Sequence, residues 1–147
     1  MSSNDQNRAP LTWANAQHVA RLLAAEGDVL KDRLKEIESR LESLPYKFRV
    51  LVSGDALSLS FDRTFAGSWA FTVHDIDLDE RTGNHHERDQ TLDQLSVLDR
   101  AAVATLLPAL VRDFLAELDR RHKLVSDGLK ATEEVEKLLA GLPKGGK

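Results

Sequence analysis

The feature that most constrains the fold is an apolar seam through the N-terminal third of the chain. Its ten positions are spaced alternately three and four residues apart: Trp13, Ala16, Ala20, Leu23, Gly27, Leu30, Leu34, Ile37, Leu41 and Leu44. This is the heptad spacing of a helix that packs against another helix along one stripe. The sequence therefore predicts one long helix over 12–44, with Thr12 as its N-cap and Pro45 ending it.

The predicted helix is longer than the expected diameter of the domain. A helix of about 33 residues is ~50 Å long, whereas a compact chain of this size is only ~38 Å across, so the helix is expected to overhang the domain or to pair with another long element. The seam either packs on the C-terminal helices of its own chain or forms a parallel homodimer, in which Glu26 faces Lys31 and Arg33 faces Glu38. The predicted self-association residues are those of its stronger half: Leu30, Leu34, Ile37, Leu41 and Leu44.

One position in the seam, Gly27, does not fit an ideal heptad. Glycine lowers helix stability by roughly 1 kcal/mol and leaves a hole in the seam. It is expected to mark either a kink or a close helix crossing.

After Pro45 the apolar period changes from helical spacing to two, which indicates strands. Gly54-Asp55 is predicted to be a two-residue type II′ turn that pairs Val52 with Leu57 and Val50 with Leu59. A third strand follows around Phe71, with a bulge or strand end near His74 where the alternation changes face. Together with a short strand after a turn near Arg81, these form an antiparallel meander of three to four strands over 46–89.

The last third of the chain, 96–140, is predicted to contain two or more helices. Ser96 is the expected N-cap, Pro108 a kink or a join, and 126–128 a break before a final helix. The fold class is therefore α+β in the order α-ββββ-αα, with helices covering one face of the sheet. We expect a single domain over 12–140, between a disordered N-terminus (1–11) and a flexible tail (141–147).

Charge is concentrated in one segment of the chain. Residues 74–99 contain eight acidic and two basic side chains, a net charge of −6, although the whole chain carries only −4. Such a segment argues against nucleic-acid binding and favours a basic partner or a divalent cation. The predicted partner-binding residues are Asp75, Asp77, Asp79 and Glu80. With no cysteine, no secretory signal and no apolar stretch of ~20 residues, the chain is predicted to be cytoplasmic and without membrane contact.

The same segment holds the only candidate metal ligands. A hairpin centred on Arg81 and Thr82 would place Asp77 opposite His86, so a site using His74, Asp77 and His86 is conceivable. A calcium loop of the EF-hand type beginning at Asp75 is rejected, because Glu80 occupies the sixth position, which needs glycine, and His86 occupies the twelfth, which needs glutamate. The alternative is a polar hairpin whose charges prevent edge-to-edge aggregation. No metal, cofactor or catalytic residue is assigned.

These observations predict a small non-enzymatic protein-binding module, such as an adaptor, an inhibitor or an immunity-type protein. It would self-associate through helix 12–44 as a homodimer and present its acidic hairpin to a basic protein partner. The alternative function is a divalent-metal-dependent enzyme that uses the hairpin 74–87.

Overall fold

The chain folds as a helix, four strands and a second helix, in a computed structural model that describes residues 12–78 and 85–142. Within this part, nothing is described of the side chains of residues 76–78 and 85–88. The elements are α1 (Trp13–Glu42), β1 (Val50–Ser53), β2 (Leu57–Arg63), β3 (Trp69–Leu78), β4 (His85–Gln90), a one-turn 3-10 helix (Leu92–Gln94) and α2 (Val97–Ala140). The predicted α+β class and the long N-terminal helix are confirmed. The predicted N-terminus 1–11 and the turn 79–84 lie outside the described residues, as does most of the tail.

Both ends of α1 have local causes in the sequence. The Thr12 hydroxyl accepts a hydrogen bond from the backbone N–H of Asn15 at 3.2 Å, which satisfies one of the free N–H groups of the first turn. At the other end the Lys47 ammonium donates to the carbonyls of Glu42 and Leu44, at 2.9 and 2.8 Å. These bonds fix the point at which the chain leaves the helix.

The four strands form an antiparallel meander in the order β1-β2-β3-β4. The predicted register of the first hairpin is wrong by two residues, because Val52 lies opposite Leu59 and Val50 opposite Phe61. The Gly54 N–H donates to the Leu57 carbonyl at 2.8 Å, so the loop is Asp55-Ala56. A shift of two leaves every side chain on its own face, so the apolar alternation does not distinguish the two registers.

Strand β3 is longer than the sequence predicts and continues through His74 to Leu78. The predicted bulge near His74 is wrong, since this residue is paired on both sides, with Ser58 of β2 and with Asp89 of β4. The polar side chains that interrupt the alternation therefore lie within a continuous ladder. Backbone pairing on two sides holds the strand where apolar alternation ends.

The C-terminal segment is one helix of 44 residues, not the predicted two or more. Ser96 is its N-cap, as predicted, and accepts from the Asp99 N–H at 3.1 Å. Pro108 lies inside the helix with its ring exposed, between buried residues that hold both sides of the proline on the sheet: Val103, Leu107, Leu110 and Phe114. Packing of these side chains offsets the missing N–H of the proline.

Both helices cover the same face of the sheet and run in the same direction along it. Gly27 of α1 lies beside Val97 at the start of α2, and Ile37 faces Val111 across a shared groove. The core between helices and sheet is almost entirely apolar and includes four phenylalanine rings, Phe48, Phe61, Phe71 and Phe114. The open face of the sheet has no helix over it among the described residues.

This packing uses the stronger half of the α1 seam within the chain. Leu34 and Leu41 are buried, Ile37 and Leu44 are half-buried against the core, and Leu30 lines the groove between the helices. Of the two arrangements that the sequence left open, the intramolecular one holds for these residues. Leu34 and Leu41 are therefore not exposed to a second copy.

Gly27 marks a close crossing of the two helices. A Cβ at this position would lie 2.8 Å from Cγ2 of Val97, closer than side chains pack. The Gly27 carbonyl also accepts from the Arg100 guanidinium at 2.9 Å. The glycine that weakens the α1 seam is thus what allows α2 to approach.

Candidate functional site

Three polar side chains on neighbouring strands form a hydrogen-bonded relay on the open face of the sheet. Ser60 Oγ lies 3.1 Å from His74 Nε2, and His74 Nδ1 lies 2.6 Å from Asp89 Oδ1. The residues come from β2, β3 and β4, and the period of two places all three on the face away from the helices. The sequence alone does not reveal this relay, because its members are 14 and 15 residues apart and meet only in the correct strand register.

A serine, a histidine and a carboxylate in this order are the groups that activate a hydroxyl for nucleophilic attack. Such chemistry also needs an accessible Oγ and donors for the developing oxyanion. Ser60 is only 1% exposed, and its hydroxyl also lies 3.4 Å from the Thr72 carbonyl. The burial of Ser60 favours a structural role, in which the relay ties three strands together.

The predicted metal ligands are only partly within the described side chains. Asp77 lies opposite His86 in the backbone ladder, as the predicted hairpin requires, whereas His74 lies opposite Asp89. Among the side chains that the structure describes, no group of three or more His, Asp or Glu residues could hold a metal ion. Asp77 and His86 are outside that set, so the metal site stays a prediction.

The acidic partner-binding surface is likewise described only at its start. Asp75 is half-buried in β3, opposite Leu57 of β2 and Arg88 of β4. Asp79 and Glu80 lie outside the described residues, and the side chain of Asp77 is not described. The predicted role of these four carboxylates stays a prediction.

The second candidate surface is the part of each long helix that extends past the core. We call residues 13–26 of α1 the N-terminal arm. The α1 seam continues into it through Trp13 and Leu23, and Trp13 is 78% exposed. This arm leaves the core at the end where α2 begins, because Gly27 is beside Val97.

We call residues 119–142 the C-terminal arm. It leaves the core at the opposite end, and every residue from Asp127 to Leu142 is exposed. Its exposed large apolar side chains are Leu124, Val125, Leu129, Val135, Leu138, Leu139 and Leu142. Many of them lie on the helix face that continues the buried positions Leu110 and Phe114. The apolar stripe of α2 thus continues beyond the part of the helix that packs on the sheet.

The base of the C-terminal arm is braced against the core. The Arg121 guanidinium lies 4.2 Å over the Phe48 ring and donates to the Tyr46 hydroxyl at 3.1 Å. It also donates to Glu117, which accepts two further hydrogen bonds from Arg120. The hydrogen bonds from Arg120 and Arg121 lower the pKa of Glu117 to about 2. The brace fixes the direction in which the arm departs.

No match to the chain was found among protein-family models, curated proteins or solved structures. Within residues 12–78 and 85–142, neither helix combines the length and apolar character that a membrane crossing needs.

Proposed function

We propose that this protein is a non-enzymatic protein-binding module whose contact surfaces are the apolar faces of its two helical arms. The observation that carries the proposal is the exposure of the arms: the seams that pack into the core continue beyond it with large apolar side chains in solvent. Contiguous exposed apolar surface rimmed by polar residues is typical of interaction sites. An amphipathic helix without a partner is stabilised when another apolar surface covers it.

This proposal narrows the self-association expected of helix 12–44. The half of the seam from Leu30 to Leu44 packs within the chain, so a partner of α1 contacts the N-terminal arm. The acidic segment 74–99 is a second proposed contact, directed toward a basic partner. Adaptor, inhibitor and immunity-type roles all fit a protein that acts only through such surfaces.

Affinity capture from the native host tests the proposed function. The wild type is compared with an arm variant that carries Leu23→Glu and Leu138→Glu, both at exposed positions. The matched control is Phe65→Glu, which removes a fully exposed apolar side chain from a loop far from both arms along the chain. We expect one protein to be retained by the wild type and the control and lost from the arm variant. Equal retention by all three, or none by the wild type, contradicts the proposal.

A second candidate function, serine-dependent hydrolysis, is suggested by the hydrogen bonds that join Ser60, His74 and Asp89, although the burial of Ser60 argues against it. In that case Ser60 Oγ would attack an electrophile and pass its proton to His74 Nε2. A fluorophosphonate probe tests it directly, because attack displaces fluoride and leaves the probe bonded to Ser60. Labelling that disappears in Ser60→Ala supports hydrolysis, and a wild type that stays unlabelled removes this candidate.

The divalent-metal alternative depends on Asp77 and His86. Metal analysis of the purified protein tests it, since bound zinc or manganese that is lost in His86→Ala would support a metal centre.

A further inference from the structure

The C-terminal arm has an apolar stripe, a central glycine and a charge gradient that together define its partner. We propose that the arm pairs in antiparallel orientation with the same arm of a second copy, and so forms a symmetric dimer. This inference rests on the proposed function and names one of its partners.

The stripe of the arm is wide enough to be covered by a helix. Thr132 and Leu139 continue the seven-residue spacing from Val125, and Val135 and Leu142 continue it from Gly128. These two series are the two seam rows of a heptad, and Leu124 and Leu138 widen the stripe on one side. Every one of these residues is exposed, so the seam lacks a partner within the described chain.

Gly128 provides an independent indication of a close helix crossing. A glycine inside an exposed helix lowers its stability by about 1 kcal/mol relative to alanine. Apart from the adjoining backbone of its own helix, no described atom lies within 4 Å of a Cβ built at this position. The glycine at the other crossing, Gly27, has Val97 against it. Ala131 and Thr132, three and four residues after Gly128, lie on the same helix face and have small side chains, so the middle of the arm is its narrowest part.

The charges of the arm favour the antiparallel orientation. Residues 119–123 carry three bases and one acid, a net charge of +2, which becomes +1 if Glu117 is included. Residues 127–137 carry four acids and two bases, a net charge of −2. Parallel arms would place like charge beside like charge, whereas antiparallel arms move the two basic segments 119–123 to opposite ends of the pair and bring Glu136 of each copy close to Lys123 of the other.

One antiparallel register brings the small residues of the two stripes together and places Lys123 level with Glu136 of the second copy. With the dyad near Lys130, Val125 packs against Val135 of the second copy and Leu124 against its Leu138. Gly128 then lies opposite Thr132 of the second copy, and Ala131 lies beside its own equivalent. The small residues meet at the crossing and the large ones lie on either side of it.

Single-cysteine variants test orientation and register, because the chain contains no cysteine. We expect Ala131→Cys to form a disulfide-linked dimer on mild oxidation, because its two copies lie at the dyad. Leu124→Cys and Leu138→Cys are each expected to stay unlinked, since their copies are separated by roughly 20 Å along the helices. An equimolar mixture of these two variants is expected to give the linked dimer.

A linked dimer of Leu138→Cys alone would show a parallel pair and overturn the proposal. Absence of linkage in Ala131→Cys and in the mixture would overturn it as well. Circular dichroism of each variant confirms that the fold is intact. Because these measurements use purified protein, the self-pairing can fail while the capture experiment still supports a different partner for the arms.

Discussion

Gly27 and Gly128 each lie inside a long continuous helix, and their surroundings differ. At Gly27 a second helix is present, with Val97 where a Cβ would be and Arg100 bonded to the glycine carbonyl. At Gly128 the same residue type lies in a helix with no described packing partner. The same contrast holds along α2, whose first half is buried on the sheet and whose second half is exposed. The described chain therefore covers the apolar stripe of α2 only along the first half of this helix, and the pairing proposed above would cover the second half.

The largest expected difference is between two separate leucine-to-alanine variants, one in each half of α2. Leu110 is 0% exposed and Leu129 is 60% exposed. Leu110→Ala should lower the free energy of unfolding by about 2–5 kcal/mol, because it leaves a cavity in the core. Leu129→Ala should change it by less than about 0.5 kcal/mol in the monomer. Chemical denaturation at low protein concentration measures both, and equal losses would show that the arm packs on its own chain.

The sequence predicts where the helices begin better than it predicts the continuity of α2 or the side chains that meet across the sheet. The heptad seam and the N-caps Thr12 and Ser96 are local signals, and from them the sequence correctly predicts where both helices begin. The continuity of α2 was not predictable, because Pro108 is a local helix breaker whose effect is overcome by burial of its neighbours. The relay of Ser60, His74 and Asp89 depends on pairing among three strands, and an alternating pattern cannot reveal that pairing.

The two glycines should respond to alanine with opposite signs. Gly27→Ala gains up to about 1 kcal/mol of helix propensity, but its methyl group overlaps Val97, and overpacking typically lowers stability by about 1–3 kcal/mol. In the monomer, Gly128→Ala gains the same helix propensity without an overlap, because apart from its own helix backbone no described atom lies within 4 Å of its Cβ. We expect a lower melting temperature for the first variant and a higher one for the second.

A double variant separates the steric cause from the conformational one. Adding Val97→Ala to Gly27→Ala should recover part of the loss, because it removes the overlapping atoms. If Gly27→Ala is as stable as the wild type, the helices do not cross as closely as the structure indicates.

A smaller effect is expected at Glu38, where α1 contacts the edge of β3. Glu38 Oε2 accepts from the Phe71 N–H at 2.8 Å, which lies beyond the part of β3 that β4 covers. Burial raises the pKa of Glu38, and the hydrogen bond from Phe71 only partly opposes it. A raised folded-state pKa favours the folded state below the unfolded pKa of about 4.5. This contribution is lost as the pH rises through the folded-state pKa.

Glu38→Gln keeps the acceptor and removes the titration. The wild type should therefore lose stability relative to this variant as the pH rises from 4 to 7. Denaturation of both proteins at the two pH values measures the difference. A wild type that gains stability over the variant in this range would contradict the assigned cause. Glu38→Ala, which leaves the Phe71 N–H without this acceptor, should be less stable at both pH values by about 1–3 kcal/mol.

Pairing of the C-terminal arms is tested by the mass of the protein in solution, measured by light scattering across a range of concentrations. We expect the wild type to pass from one chain mass of 16.4 kDa to twice that value as the concentration rises. Val135→Glu, at an exposed position of the C-terminal arm, should stay at 16.4 kDa with an unchanged unfolding transition at low concentration. A wild type that stays monomeric throughout, or a dimer that survives Val135→Glu, would contradict it.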